Sequence, residues 1–244
     1  MEPYFLAPHV YTCVTDDHVV LLDLRRDKYV GVSRDQMASL EQRVKGWPFH
    51  SVTTLAEGAD GKAKSGRSDA LLAKMVAAGM LTTDAAVGKD ASPIAVPRPE
   101  AALVEDDLET QPRVTFTHAF RFLRASAMET LEMKLRSIES VMTRVRAHKA
   151  RRRANTSVPL DLVTARAAVG AFIRLRPLLF GAQDACLYDS LALVRYLSYY
   201  GIFPECVIGV QTGPFVAHCW VQEGTVIFND APEYIRRYTP ILAV

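Results

Sequence analysis

Residues 84–113 constrain this chain more than any other stretch. They hold four prolines (Pro93, Pro97, Pro99 and Pro112), several acidic groups and almost no aromatic residues. Such a composition buries too little apolar surface to offset the entropy lost on ordering. The stretch therefore reads as a linker, and it cuts the 244 residues into an N-terminal piece, 1–83, and a C-terminal piece, 114–244. Each piece must then supply its own core. With 49% of the residues hydrophobic, there is apolar material enough for both.

The N-terminal piece opens with strands. HVYTCVT, HVVLLDL and KYVGVS are rich in Val, Tyr and Thr. Asp16-Asp17 separates the first pair and Arg25-Arg26-Asp27 the second, and both separators are short and polar, as hairpin turns are. Ser33 reads as the N-cap of a helix through Met37, Leu40 and Val44, which stops before Gly46 and Pro48. GADGKAKSGRSD reads as disordered. A further helix over 70–78 ends at Gly79. The expectation is a three-stranded meander with helices.

The C-terminal piece begins with helices. Phe116, Phe120, Leu123, Ala127, Leu131 and Leu135 repeat at helical spacing, and that helix is expected to run on past Val141 into RVRAHKARRR. The basic run reads as a solvated helix end whose charges suit the C-terminal dipole. Its other readings are a site for an acidic partner face, for a nucleotide phosphate or, last, for nucleic acid. A second helix is expected from Pro159 to Leu175, and a third from Cys186 to Gly201, a suitable C′ residue. Three strands follow, CVIGVQT, VAHCWVQ and TVIFND, the last two around a Glu223-Gly224 turn. The chain is thus of the α+β class.

Several function classes drop out. A net charge of +2 does not by itself imply a nucleic-acid partner. The four cysteines (Cys13, Cys186, Cys206 and Cys219) form no CxxC pair, which argues against a disulfide framework and a structural zinc site. The opening MEPYFLAPHVYTCV lacks the pattern of a signal peptide, and no run of about 18 uncharged apolar residues offers a membrane span. A reduced, cytoplasmic location with free thiols is expected.

One constellation carries chemistry. Cys186 starts a helix, where unpaired N–H groups and the positive dipole end favour a thiolate. His218 lies on one strand and Asp230 ends the next. A Cys, a His and an Asp so placed can meet, the His taking the thiol proton and the Asp orienting the imidazole. The N–H of Cys186, and the amide of Gln183, are the candidate oxyanion donors. Asp189, one turn after Cys186, would oppose the thiolate if it pointed that way. Taken singly, each residue also has an ordinary structural reading. A metal site from Cys206, His218 and Cys219 is disfavoured because adjacent residues on a strand point to opposite faces.

CLYDSLALVRYLSYYGIFPECVIGVQTGPFVAHCWVQ resembles the lasso-peptide B proteins, the leader peptidases of lasso-peptide biosynthesis. The matching pieces are CL-x-x-SLAL at 186–193, G-x-x-P from Gly201, VIGV at 207–210 and PF-x-AH-x-WV at 214–221, within a similarity spanning roughly 160–232. The resemblance implies a transglutaminase-like, papain-like cysteine peptidase domain with Cys186, His218 and Asp230 as its triad. Many of these relatives carry a basic residue where this chain has Asp189. The resemblance also implies an N-terminal leader-recognition domain of the winged-helix type, similar to the small pyrroloquinoline-quinone chaperone proteins (PqqD-like). The leader would add as a strand beside Lys28, Tyr29, Val30, Gly31 and Val32, against Leu71, Leu72 and Met75. Implied partners are the lasso-peptide precursor and an asparagine-synthetase-like cyclase that uses ATP. No intrinsic cofactor is expected, although processing in some relatives depends on ATP. Acyl transfer to an amine, and a non-catalytic leader-binding adaptor, stand as the competing readings.

Overall fold

The computed structural model describes residues 2–16, 18–48, 61–104, 113–155, 161–179 and 186–244. The chain divides into two units, Met1–Ala95 with Gln211–Phe215, and Val96–Val210 with Val216–Val244.

In the first unit the chain runs through β1 (Phe5–Leu6), β2 (Val10–Val14), β3 (Val19–Asp23), β4 (Lys28–Val32), α1 (Arg34–Glu41), α2 (Gly61–Ala77) and β5 (Leu81–Thr82). The second to fourth strands form an antiparallel meander in that order. Central β3 is buried at all five positions, as its VVLLD sequence requires. Asp23, though buried, accepts from the backbone N–H groups of Arg25 and Arg26 and from the Arg26 guanidinium at 2.8 Å. That ties the β3–β4 turn, whose Asp27 takes φ +52°. Ser33 does cap α1, in a box closed by Gln36. Leu6, Val10, Leu21, Met37, Leu40 and Leu72 share the core.

Three expectations for this part need correction. The first helix stops at Glu41, and Val44 follows it in a turn, bridged to Tyr4 and buried in the core. The polar GADGKAKSGRSD stretch is helical from Gly61 onward, because α2 buries Leu72 and Met75 in that core and packing outweighs a poor local propensity. The stretch read as a linker is ordered structure over its described part, 84–104. Lys89 exchanges backbone hydrogen bonds with Leu6, and Ala91 is fully buried in the first core. Leu103 is buried in the core of the second unit. A few small apolar residues between the prolines suffice when the neighbouring units supply the rest of the surface.

The second unit contains β6 (Ala101–Ala102), α3 (Phe116–Leu135), α4 (Ile138–Asn155), α5 (Leu162–Leu175), α6 (Cys186–Ser198), most of β7 (Glu205–Thr212) and β8 (Phe215–Glu223), then β9 (Val226–Ile227), α7 (Pro232–Ile235) and β10 (Thr239–Ala243). The sheet order is β10-β7-β8-β9-β6. Helices α3, α5 and α6 pack together through Phe122, Ala168, Phe172, Leu193 and Tyr196, with Val221 from the sheet. Trp220, one residue earlier on β8, packs instead with Val207, Ile235 and Tyr238. Among the described residues no helix is long and apolar enough to cross a membrane.

The expected single helix across 116–153 is two. Arg136 is extended at φ −128°, and the Ser137 hydroxyl then accepts from the Ser140 N–H, starting α4 afresh. The apolar repeat read along α3 also marks the wrong face for a core. The helix buries Phe122, Ala125, Ser126 and Glu129, while Phe116, Phe120, Leu123, Leu131 and Leu135 are exposed. The strand read as TVIFND pairs only at Val226–Ile227, so Asp230 stands in the turn before α7 rather than at a strand end.

Candidate active site

Cys186 is the first residue of α6 and is half-buried. Its thiol faces the His218 imidazole and the backbone N–H groups of Cys219 and Leu187. The interaction with His218 lowers its pKa most. Burial opposes this, and the two N–H groups and the charge of His218 add to the lowering. This is the environment of a thiolate.

His218 lies on β8, with Nε2 2.7 Å from Asp230 Oδ2. That leaves Nδ1 as the nitrogen for Cys186. Burial pushes the imidazole down, but the bonds to Asp230 and Cys186 and their charges outweigh it, and the pKa rises to about 9. The other Asp230 oxygen accepts from the Ala231 N–H at 2.8 Å, which fixes the carboxylate plane. The structure thus brings Cys186, His218 and Asp230 together, with the imidazole between the thiol and the carboxylate.

Residues that sequence reasoning passed over hold this arrangement. Ser190, on α6 one turn beyond Cys186, donates to the Cys219 carbonyl at 3.0 Å. Asn229 donates its amide to Ser190 Oγ at 3.1 Å and accepts from the Val221 N–H at 2.9 Å. These bonds join the helix that carries the thiol, the strand that carries the histidine and the turn that carries the aspartate. The His218 ring sits among aromatic neighbours. It lies near-parallel to Trp220 at 6.5 Å, edge-on to Tyr234 at 5.3 Å and tilted against Tyr238 at 5.2 Å. Trp220 is held in turn by Gln222, whose Oε1 accepts from Nε1 at 2.6 Å. Gly209 lies under the indole, and a Cβ there would meet Trp220 at 2.7 Å. Asn229 beside Asp230 was the visible signal for part of this network. Ser190 stood in the CL-x-x-SLAL motif with no role assigned to it, and Tyr234 and Tyr238 had no signal.

The remaining sequence candidates fare differently. Asp189 is buried, and burial raises its pKa, with Arg176 at 3.5 Å and the Asn229 amide pulling the other way. Its carboxyl thus faces Arg176 and Asn229. Gln183 lies outside the described residues. Cys206 and Cys219 place their sulfurs 3.3 Å apart on neighbouring strands, and among the described residues no group of His, Cys, Asp or Glu is arranged to hold a metal ion. Lys28, Tyr29, Val30 and Gly31 lie on β4, an edge strand with only Val32 fully buried. Leu72 and Met75, like Val32, point into the core and present no surface to a leader, leaving Leu71 half-buried on α2. In the basic run, Arg144 pairs with Glu129 and Glu132, and Lys149 with Glu205, so these two residues tie α4 down.

Residues 126–243 match the family described as the transglutaminase-like superfamily. These residues are a transglutaminase-like domain. All three members of the Cys186–His218–Asp230 cluster fall within it. A stretch of 50 residues is also 49% identical to the microcin J25-processing protein McjB of Escherichia coli. It covers 20% of this chain and 24% of McjB, so the likeness spans about a quarter of that relative. No solved structure matches the chain. The two matches together support the resemblance to lasso-peptide B proteins.

Proposed function

We propose that this protein is a cysteine peptidase that removes the leader from a lasso-peptide precursor. The observation that carries the reading is the imidazole of His218, 2.7 Å from the Asp230 carboxylate and interacting with the Cys186 thiol. The match to a microcin-processing protein supports this substrate class.

The chemistry follows from the geometry. Cys186, as thiolate, adds to the carbonyl carbon at the leader–core junction. The oxyanion forms at the start of α6, where the backbone N–H of Cys186 is the donor. His218 gives its Nδ1 proton to the core's leaving nitrogen as the C–N bond breaks, which leaves the leader as a thioester on Cys186. The neutral imidazole then takes a proton from water, and the hydroxide displaces the thiolate. The products are a leader carboxylate and a core with a free N-terminal amine. Asp230 keeps Nε2 protonated and supports the imidazolium throughout. The core would pass to an asparagine-synthetase-like, ATP-using cyclase, and β4 would hold the leader as an added strand.

The same residues could pass the acyl group to an amine, as transglutaminases do. Incubating the precursor peptide with the protein in ¹⁸O-water separates the two. The peptidase reading predicts a released leader with one ¹⁸O at its new carboxyl. A leader joined to an amine, with no ¹⁸O, would establish transfer. An intact precursor would favour a non-catalytic adaptor.

A further inference from the structure

Helix α3 carries an apolar face that its own unit does not cover. Phe116, Phe120, Leu123, Leu131 and Leu135 are 55 to 87% exposed, and with Ala127 they follow the spacing of one helical stripe. Isolated exposed apolar residues are ordinary, but a continuous stripe of this size marks an interaction surface.

Two neighbouring features say what would cover it. The first is charge. The only acidic residues of α3 are Glu129 and Glu132, and both turn inward to Arg195 and Arg144. Among the described residues the exposed charges bordering the stripe are basic: Arg113 ahead of the helix, Arg124, Lys134 and Arg136. A second copy would set these cations against one another. The second feature is a cavity of about 190 Å³ that shares Arg124 and Met128 with the helix and is walled by Leu191, Val194, Tyr199 and Phe203. It is smaller than the roughly 300–1,000 Å³ of small-molecule sites and suits a single side chain. Glu129 lines it, and that residue's buried Oε1 accepts no hydrogen bond. An entering side chain with an apolar body and a donor tip, a Tyr or Trp, would satisfy it.

We propose that the exposed face of α3 and the adjoining cavity dock an amphipathic helix of a partner protein. That helix borders its apolar stripe with acidic residues and inserts one Tyr or Trp into the cavity. The site lies at the far end of α6 from Cys186, since Leu191, Val194 and Ser198 line it, and it stands whether or not the peptidase reading holds.

The test uses the full chain and two fluorescein-labelled helical peptides of about 20 residues. Both carry the same leucine stripe and one Trp, and their flanks are Glu in one and Lys in the other. Fluorescence anisotropy should show the Glu peptide binding at least about ten-fold more tightly. Leu123→Glu with Leu131→Glu should abolish this binding without changing the far-UV circular dichroism. Arg124→Glu with Lys134→Glu should reverse the preference between the peptides. Equal binding of both peptides, no binding of either, or binding unmoved by these substitutions would overturn the proposal. A concentration-dependent dimer in sedimentation that Leu123→Glu abolishes would assign the face to a second copy instead. Sedimentation with phosphatidylserine vesicles, lost in the same variant, would assign it to a membrane surface.

Discussion

At His218 two opposing effects meet. A buried imidazole resists protonation, yet the carboxylate on one side and the thiolate on the other favour it, and they prevail. The working form is then a thiolate beside an imidazolium. Its existence is bounded below by the lowered value of Cys186 and above by the value of about 9 for His218. Two predictions belong here. Iodoacetamide should alkylate Cys186 at pH values where an ordinary thiol, near 8.5, is still protonated. His218→Ala should move that inflection upward, read by mass spectrometry of the labelled chain. For leader cleavage, the rate should rise as Cys186 loses its proton and fall as His218 loses its own near pH 9. Asp230→Ala removes what holds the imidazolium, so the alkaline limb should move to lower pH. The same change should lower kcat by about 10²- to 10⁴-fold without abolishing it. Cys186 and His218 were legible as residues because helix start and strand could be read around them. The polar bolts and ring contacts that hold them were not, since they join residues such as Ser190 and Asn229, 39 positions apart.

At the scale of elements, α6 and β8 must stay in register for the thiol to meet the imidazole. Ser190 is fully buried and serves both the Cys219 carbonyl and the Asn229 amide. Ser190→Ala leaves both without their partner and should cost about 1–3 kcal/mol in urea unfolding. Activity should fall along with that loss. Gly209→Ala forces a methyl against Trp220 and should destabilise the chain by about 1–3 kcal/mol. The strands around Trp220 and the three-stranded meander were readable from β-branched runs and polar turns. The face of α3 was misread for a physical reason: beside Phe122 its core side holds only Ala125, Ser126 and an ion-paired Glu129, so the exposed side carries more of the large apolar residues. A period reports that a helix has a face, not which neighbour takes it.

For the molecule as a whole, the main division between the two units falls between Ala95 and Val96, inside the proline-bearing stretch, and the described residues of that stretch belong to the cores of the two units. This has a consequence for fragments. A piece ending at residue 83 loses Ala91 and the Leu6–Lys89 hydrogen bonds, whereas one ending at residue 95 keeps them. The longer fragment should therefore unfold at the higher temperature in circular dichroism, and it is the one with which to test leader binding at β4. The central claim, that Cys186 is the nucleophile that frees the core, is tested most directly by incubating the precursor peptide with the wild-type chain and with Cys186→Ala, with and without the cyclase and ATP, and weighing the products. The account predicts a released leader with the wild type and an intact precursor with Cys186→Ala under the same conditions. Leader release by the Cys186→Ala chain at the wild-type rate would contradict it.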